Sequence, residues 1–177
     1  MTNISFSSWK KLFLFCLGLT IAASFCMKWI ENDLVVHGEK FTILGLELFY
    51  PKEKLAGILS GLDAHVKTIL RYHLSFDFAF MAGVYPAIAA LCMMAREKLS
   101  KPLLKRIAFI AAALQLAAWA ADIIENSWLF YWINNPVIGD GFSNYHADVW
   151  AKWIIALCAA LFAIPVVLFS RRKAPVS

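Results

Sequence analysis

Residues 107–131 read IAFIAAALQLAAWAADIIENSWLFY, a long apolar run with few polar side chains. The hydrocarbon core of a bilayer is about 30 Å thick, and an α-helix needs roughly 20 mainly apolar residues to cross it. The run exceeds that length, and its only charged residues, Asp122 and Glu125, lie toward its C-terminal end. The pattern therefore predicts a transmembrane helix that carries polar side chains near one face of the membrane.

Three further runs have the same character, at residues 12–30, 74–95 and 149–170. Of the 177 residues, 61 % are hydrophobic and 16 % are charged, whereas soluble proteins contain about 45–50 % apolar and about 25 % charged residues. We predict an all-α integral membrane protein, a single domain covering residues 1–177. It should form a four-transmembrane-helix bundle with an outer loop of about 45 residues between the first two spans.

The basic residues in the short connecting segments predict the orientation. Lys and Arg cluster before span one (residues 10–11), between spans two and three (residues 96–106) and after span four (residues 171–173). Four spans place these clusters on one side, which the positive-inside rule assigns to the cytoplasm. We therefore predict a multi-pass protein of the bacterial inner (plasma) membrane with cytoplasmic N- and C-termini. Interfacial tryptophans are expected at the opposite helix ends, where the sequence has Trp29, Trp128, Trp132, Trp150 and Trp153.

The predicted outer loop, residues 31–73, carries two patterns of its own. Short β-rich runs at residues 34–36 and 41–44 flank a Gly-containing segment, which predicts a small hairpin. An amphipathic helix should begin at Tyr50-Pro51 and continue through Leu70, because proline is favoured at the first helical position and apolar residues follow at helical spacing from Leu55 to Leu70. This helix is expected to lie on a surface, either as a lid over the outer mouth of the bundle or as a packing element.

Ionisable residues within the spans give the clearest indication of a site, because their burial in a membrane is costly and is usually tied to function. Asp77 lies three residues into span two. In span three, Asp122 lies about 22 Å and Glu125 and Asn126 about 27–29 Å from the cytoplasmic end, at 1.5 Å per residue. Because the two spans run in opposite directions, these side chains are expected at one depth near the outer helix ends.

Spacing extends this candidate site. The polar residues of span three are separated by three and four positions and therefore share one helix face. Lys28 and Lys152 stand at the outer level as alternative counter-charges. Crowded carboxylates suit a proton carrier, a general acid or a receptor for an organic cation; the alternative is that the acids pair with the lysines and only fix the helix register. The predicted ligand-binding residues are Asp77, Asp122, Glu125, Asn126, Trp119, Tyr85, Lys152 and Lys28.

Several classes of function are disfavoured by the composition. The four cysteines lie in apolar stretches and form no C-x-x-C pair, which argues against a disulfide oxidoreductase and the usual zinc sites. The four histidines lie at or beyond the outer boundary, without the buried opposed pair that haem requires. We expect no cofactor, no metal and no nucleic acid. Ala22-Ala23-Ser24 resembles a signal-peptide cleavage site, but the apolar run continues to Ile30, which favours a retained span.

Two motifs carry a resemblance to a known family. Leu74-Ser75-Phe76-Asp77-Phe78-Ala79-Phe80 contains D-F-x-F, and Asp122-Ile123-Ile124-Glu125-Asn126 contains D-x-x-E-N. Together with the amphipathic segment 45–59, they resemble a family of uncharacterised small bacterial four-helix membrane proteins. The resemblance covers most of the chain and implies the same topology and membrane location.

A second resemblance rests on the spacing Asp77-x-x-Phe80 followed by Tyr85-Pro86 in span two. This spacing is similar to the second helix of EXPERA-domain proteins, the relatives of sterol isomerases and the sigma-2 receptor. The resemblance implies a four-helix protein that uses buried acids to bind cationic or sterol-like ligands, with Asp77 facing the ligand. The chain departs from the pattern late in span one, where Lys28 stands in the region of an expected acid.

Three functions follow as alternatives. The favoured one is a non-enzymatic protein that binds a small amphiphile or lipid in the acidic outer pocket. The second is an enzyme of the isomerase type that acts on a lipid or isoprenoid through a carboxylate pair, with Asp77 and Asp122 as the candidates. The third is a structural subunit of a larger membrane complex. The expected partners are the lipid bilayer and an amphiphilic ligand, and an oligomer is left open.

Overall fold

The structure is a computed structural model that describes residues 5–170. Four helices in this range are long and apolar enough to cross a membrane, which confirms the predicted all-α architecture at that level. The basic cluster at residues 171–173 lies outside the described residues. In chain order the elements are α1 (Phe6–Ile30), a 3-10 turn (Glu31–Asp33), β1 (Val35–Val36), β2 (Glu39–Lys40), a π-helical turn (Gly45–Phe49), α2 (Lys52–Ser60), α3 (Ala64–Lys98), α4 (Pro102–Asn134) and α5 (Gly141–Phe169).

The amphipathic segment before span two differs from its predicted form. It was expected to continue as one helix through residue 70, but the chain ends α2 at Gly61 and starts α3 at Ala64. Asp63 begins the new helix, because its side chain accepts a hydrogen bond from the Val66 backbone N–H at 2.8 Å. Residues 64–73, assigned to the loop from the sequence, therefore form the first turns of the longest helix.

The small hairpin is tighter than the sequence pattern indicated. β1 pairs antiparallel with β2, with Val36 opposite Glu39. The turn consists of His37 and Gly38, both with positive φ, at 52° and 83°. Two consecutive positive φ values are typical of the two-residue turn that matches the twist of paired strands. The second strand consequently forms at residues 39–40 and not at residues 41–44.

Helix α3 is the central element of the bundle. It packs against α1, α4 and α5, and α4 also packs against α5, whereas within residues 5–170 the main partner of α1 among the long helices is α3. Helix α1 comes close to α3 at Gly83, where an added Cβ would lie 2.6 Å from Thr20 Oγ1 and 2.9 Å from the Cys16 carbonyl oxygen. The absence of a side chain at Gly83 therefore permits the two helix backbones to cross in contact.

The segment between α1 and α3 packs onto one end of the bundle, which we call the loop end. Tyr145 of α5 donates a hydrogen bond from its hydroxyl to the Leu46 carbonyl at 3.0 Å and so holds the π-helical turn in place. Apolar side chains of the segment share one buried cluster with the ends of α3, α4 and α5. Members of that cluster include Leu34, Phe41, Ile43, Leu46, Leu55, Leu59, Leu70, Leu74, Leu129, Trp132 and Tyr145.

Candidate functional site

A single lysine surrounded by carboxylates lies at the centre of the site. Lys152 of α5 is only 5 % exposed, and its Nζ lies 2.5 Å from Glu125 Oε2, 2.6 Å from Asp122 Oδ1 and 3.3 Å from Glu47 Oε2. Asp122 and Glu125 reach it from one face of α4, where a spacing of three residues places them side by side. Glu47 comes from the π-helical turn, so three separate segments of the chain meet at one ammonium group.

The charges of this cluster do not balance. One ammonium faces three carboxylates, which gives a formal charge of −2 when all four groups are ionised. Burying unpaired charge is unfavourable, so such a cluster favours bound protons or an additional cation. Burial raises the pKa of Glu47, an effect that the Lys152 ammonium opposes and the nearby Asp122 reinforces. Glu125 Oε1 is buried and has no hydrogen-bond partner among the described residues.

Aromatic side chains supply hydrogen-bond donors to the cluster. The Tyr85 hydroxyl of α3 donates to Asp122 Oδ2 at 2.7 Å, and the Trp153 indole Nε1–H donates to Glu47 Oε2 at 3.2 Å. Trp119 stacks on Tyr85, with the ring centroids 6.5 Å apart. These rings position the carboxylates and form apolar walls beside them.

A fourth carboxylate, Asp77, lies close to the cluster on α3. It is 6 % exposed, and its Oδ2 accepts a hydrogen bond from Asn126 Nδ2 at 2.5 Å. The Asn126 carbonyl oxygen Oδ1 is buried without a partner among residues 5–170. Asp77 therefore has an amide donor and no cation directly bonded to it, which increases the excess of negative charge at the loop end.

A cavity of about 340 Å³ lies next to these groups. Asp77, Asp122, Glu47 and Lys152 all contribute to its wall. The rest of the lining is largely apolar and comes from α1, the loop segment, α3 and α5, including Met27, Ile43, Leu44, Phe80, Val84, Trp153 and Ala156. An apolar cavity with a few convergent polar groups is the usual form of a small-molecule site.

His73 lines the same cavity on the side of the loop end. It precedes Asp77 by one helical turn, so both side chains project from one face of α3. It is 3 % exposed, and its Nδ1 has no hydrogen-bond partner among the described residues. The His73 ring therefore forms part of the cavity wall, while Nδ1 itself is enclosed by protein atoms.

The structure brings together most of the residues predicted from the sequence, in two layers. Asp77, Asp122, Tyr85 and Lys152 line the cavity, whereas Glu125, Asn126 and Trp119 stand behind it and contact the lining residues. Lys28 also lines the cavity, but it pairs with Glu31, and its side chain is 79 % exposed. Of the two lysines considered as counter-charges, Lys152 is the one in contact with the acid cluster.

Several lining residues were not among the site residues predicted from the sequence, including Glu47, His73 and Trp153. Glu47 could have been recognised as a candidate site residue, because it is a lone acid within the apolar segment Gly45-Leu46-Glu47-Leu48-Phe49. Its position in a presumed loop hid its contact with α5. His73 was placed at the boundary of span two, whereas α3 begins nine residues before it, at Ala64.

The polar groups of the site suit an organic cation or a hydrogen-bond donor better than a metal ion. Within residues 5–170, no group of three or more His, Cys, Asp and Glu side chains is arranged to hold a metal. The unpartnered atoms near the cavity include acceptors, Glu125 Oε1 and Asn126 Oδ1, and the unpaired His73 nitrogen. Chemically, the arrangement can accept hydrogen bonds, bind positive charge and exchange protons.

No protein-family model, curated protein or solved structure matches this chain. The geometry of the site is therefore the basis for assigning a function.

Proposed function

We propose that this protein binds a small amphiphile in the cavity at the loop end, with a cationic head group against Asp77 and the acid cluster. One observation carries the proposal: three buried carboxylates share one buried lysine, and a fourth buried carboxylate, Asp77, lies beside them at a mostly apolar cavity. A ligand that is both apolar and positively charged fits the two properties together. An ammonium group would supply hydrogen-bond donors as well as charge.

The same proposal includes a location. The four long helices would cross a bacterial inner membrane, with both termini in the cytoplasm, as the positive-inside rule predicts from the basic segments. The loop end would then lie at the outer leaflet, and the loop segment would cover the outer mouth of the bundle. The acid cluster would sit near the outer head-group region, where the burial of polar groups costs less than at the bilayer centre.

The experiment compares amphiphiles that differ only in head group. Purified protein in lipid nanodiscs is titrated with dodecylamine, dodecanol and dodecyl sulfate, and binding is followed by thermal stability and tryptophan fluorescence. We expect stabilisation by dodecylamine and little response to the other two. An equal response to all three, or none to the amine, contradicts the proposal.

A variant tests the assigned carboxylate. Asp77→Asn keeps the side-chain shape and a partner for Asn126, so the bundle should fold. A hydrogen bond to a charged group contributes about 1.5–3 kcal/mol, so the affinity for dodecylamine should fall about tenfold or more. Asp140→Asn is the matched control, since Asp140 is an exposed acid just before α5 that does not line the cavity. Unchanged amine affinity in Asp77→Asn counts against the proposal.

An enzyme of the isomerase type is the second candidate. The observation that favours it is that Asp77 and Asp122 line one cavity, with the Tyr85 hydroxyl bonded to Asp122. Two carboxyl groups beside one bound molecule allow a proton to be added and another removed. Incubation with farnesol in heavy water, followed by mass spectrometry, tests this role. Incorporation of deuterium at a carbon atom of farnesol by the wild type, and its loss in Asp122→Asn, supports catalysis. Farnesol that stays unlabelled rules against catalysis for this substrate class.

A further inference from the structure

The cavity wall includes residues from both α1 and α5, two helices with little mutual packing. Ser24 and Met27 of α1 line one side, and Trp153 and Ala156 of α5 line the other. Both helices pack against α3, but α1 and α5 are not closely packed against each other. Between them, the face of α3 is left uncovered along the cavity.

The exposure of the residues on that face agrees with an opening. Phe80 and Val84 of α3 line the cavity and remain partly exposed, although α3 is the central helix. Ser24 on the opposing wall is exposed and uses its hydroxyl to donate a hydrogen bond to the Thr20 carbonyl, at 2.8 Å, within its own helix. The cavity surface is therefore continuous with the apolar outer surface of the helices.

The opening is confined to the half of the bundle nearer the loop. Toward the other end, Phe13 of α1 packs against the buried cluster that joins Leu91 and Cys92 of α3 to Ala159 and Ala163 of α5. The two helices thus share a packed core there. On α1, the contact with Gly83 is made by Cys16 and Thr20, which lie in the chain between Phe13 and the lining residue Ser24.

At the loop end, by contrast, the chain ties α1 to the loop segment. Glu31 pairs with Lys28 at the end of α1, and its Oε1 accepts a hydrogen bond from the Ile43 backbone N–H at 3.3 Å. Ile43 and Leu44 then form part of the cavity lining. The loop segment therefore covers the cavity at the loop end, whereas the cavity is open laterally between the apolar helices α1 and α5.

We propose that the cavity opens sideways between α1 and α5, and that the hydrocarbon chain of a single-chain amine amphiphile lies in this opening. The inference rests on the proposed function and adds two things. It gives the position of the ligand's hydrocarbon chain and the route by which the ligand enters, which is from the lipid phase and not from water. A volume of about 340 Å³ is at the lower limit of ligand pockets, which hold about 300–1,000 Å³. It accommodates the head group and the first part of the chain, and the remainder lies on Phe80 and Val84 toward the bilayer.

The test blocks the opening and varies chain length. Ala156→Trp places an indole on the α5 wall, and Leu157→Trp is its matched control, because Leu157 is exposed and does not line the cavity. Binding of dodecylamine and butylamine is measured in nanodiscs for each variant. Burial of two methylene groups corresponds to about a tenfold change in affinity. We expect Ala156→Trp to weaken dodecylamine at least that much and to leave butylamine unchanged, while Leu157→Trp changes neither.

The possible outcomes separate the two proposals. When wild type binds neither amine, the proposed function fails. When wild type binds dodecylamine and Ala156→Trp binds it equally well, or loses both amines to the same degree, only the side opening is overturned. Ser24→Trp on the α1 wall repeats the test should Ala156→Trp not fold, with the exposed Phe25→Trp as its control.

A second measurement locates the chain directly. Dodecylamine that carries a photoreactive diazirine at the far end of its chain is bound and irradiated, and the labelled peptides are identified. Labels on α1, α5 and nanodisc lipid support the side opening. Labels concentrated on the loop segment, residues 31–63, overturn it, because the chain would then point away from the bilayer core.

Discussion

Replacing Lys152 by Met should destabilise the bundle by about 3–5 kcal/mol, the range measured when one partner of a buried ion pair is removed. The side chain length is nearly conserved, so packing changes little. The loss comes from the carboxylates, since Glu125 is fully buried and Asp122 almost so. Their contacts with Lys152 Nζ, at 2.5 Å and 2.6 Å, have no replacement in the variant.

Lys28→Met is the matched comparison. Both lysines line the same cavity, but the Lys28 side chain is 79 % exposed and its pair with Glu31 is in contact with solvent. Exposed ion pairs contribute about 0–1 kcal/mol. The two substitutions remove the same charge at the same end of the bundle, so the difference between them reports the effect of burial together with that of three carboxylate partners in place of one.

The assay is equilibrium unfolding in mixed detergent micelles, followed by tryptophan fluorescence. The chain has seven tryptophans, and Trp153 donates a hydrogen bond to Glu47 within the cluster. A double-mutant cycle adds the rescue: Glu125→Gln in the Lys152→Met background should recover part of the stability, because it removes one uncompensated charge. The reasoning is refuted when Lys152→Met costs no more than Lys28→Met, or when the second substitution causes a further loss.

Four other substitutions test three separate features by the same unfolding assay. Tyr85→Phe removes the hydroxyl donor from Asp122 and should cost about 1–3 kcal/mol; a loss below the error of the assay contradicts the hydrogen bond. Gly83→Ala should cost about 1–3 kcal/mol by forcing α1 away from α3, whereas Gly18→Ala, with open space around it, should be neutral or stabilising by up to about 1 kcal/mol. Equal effects at the two glycines would argue against the close crossing. The stability of Glu47→Gln relative to wild type should increase as pH rises. The folded pKa of Glu47 lies above its ordinary value of 4.5, so the wild type loses stability as pH rises through that folded pKa. A difference that does not change from about pH 5 to about pH 8 contradicts this.

The four long helices could be predicted because helix formation in an apolar medium depends on local properties. Backbone groups must bond within the segment, so the length of an apolar run decides whether a helix can span. The shared helix face of Asp122, Glu125 and Asn126 could also be predicted from local sequence, since it follows from helical spacing alone. Asp77 was placed at the same depth by counting residues along an antiparallel neighbour.

The local signals were less decisive in the loop segment. Gly61 and Asp63 were present in the sequence as a helix end and a helix cap, but the apolar spacing across them indicated a continuous helix. The structure starts α3 at Ala64, with Asp63 as the cap that satisfies the Val66 N–H. Capping outweighed periodicity at this position because Gly61 ends one helix and Asp63, two residues later, caps the next.

The sequence by itself determined that acids gather at one end of four apolar helices, whereas only the tertiary structure decided what those acids face. Lys152 and Lys28 are equivalent by composition and depth, yet one is buried among three carboxylates and the other is exposed. Glu47 joins the cluster only because the loop segment folds back against α5. The proposed side opening depends on α1 packing mainly against α3. Such features depend on how side-chain volumes fit between distant segments, for example at Gly83, and the periodicity of a single helix does not encode them.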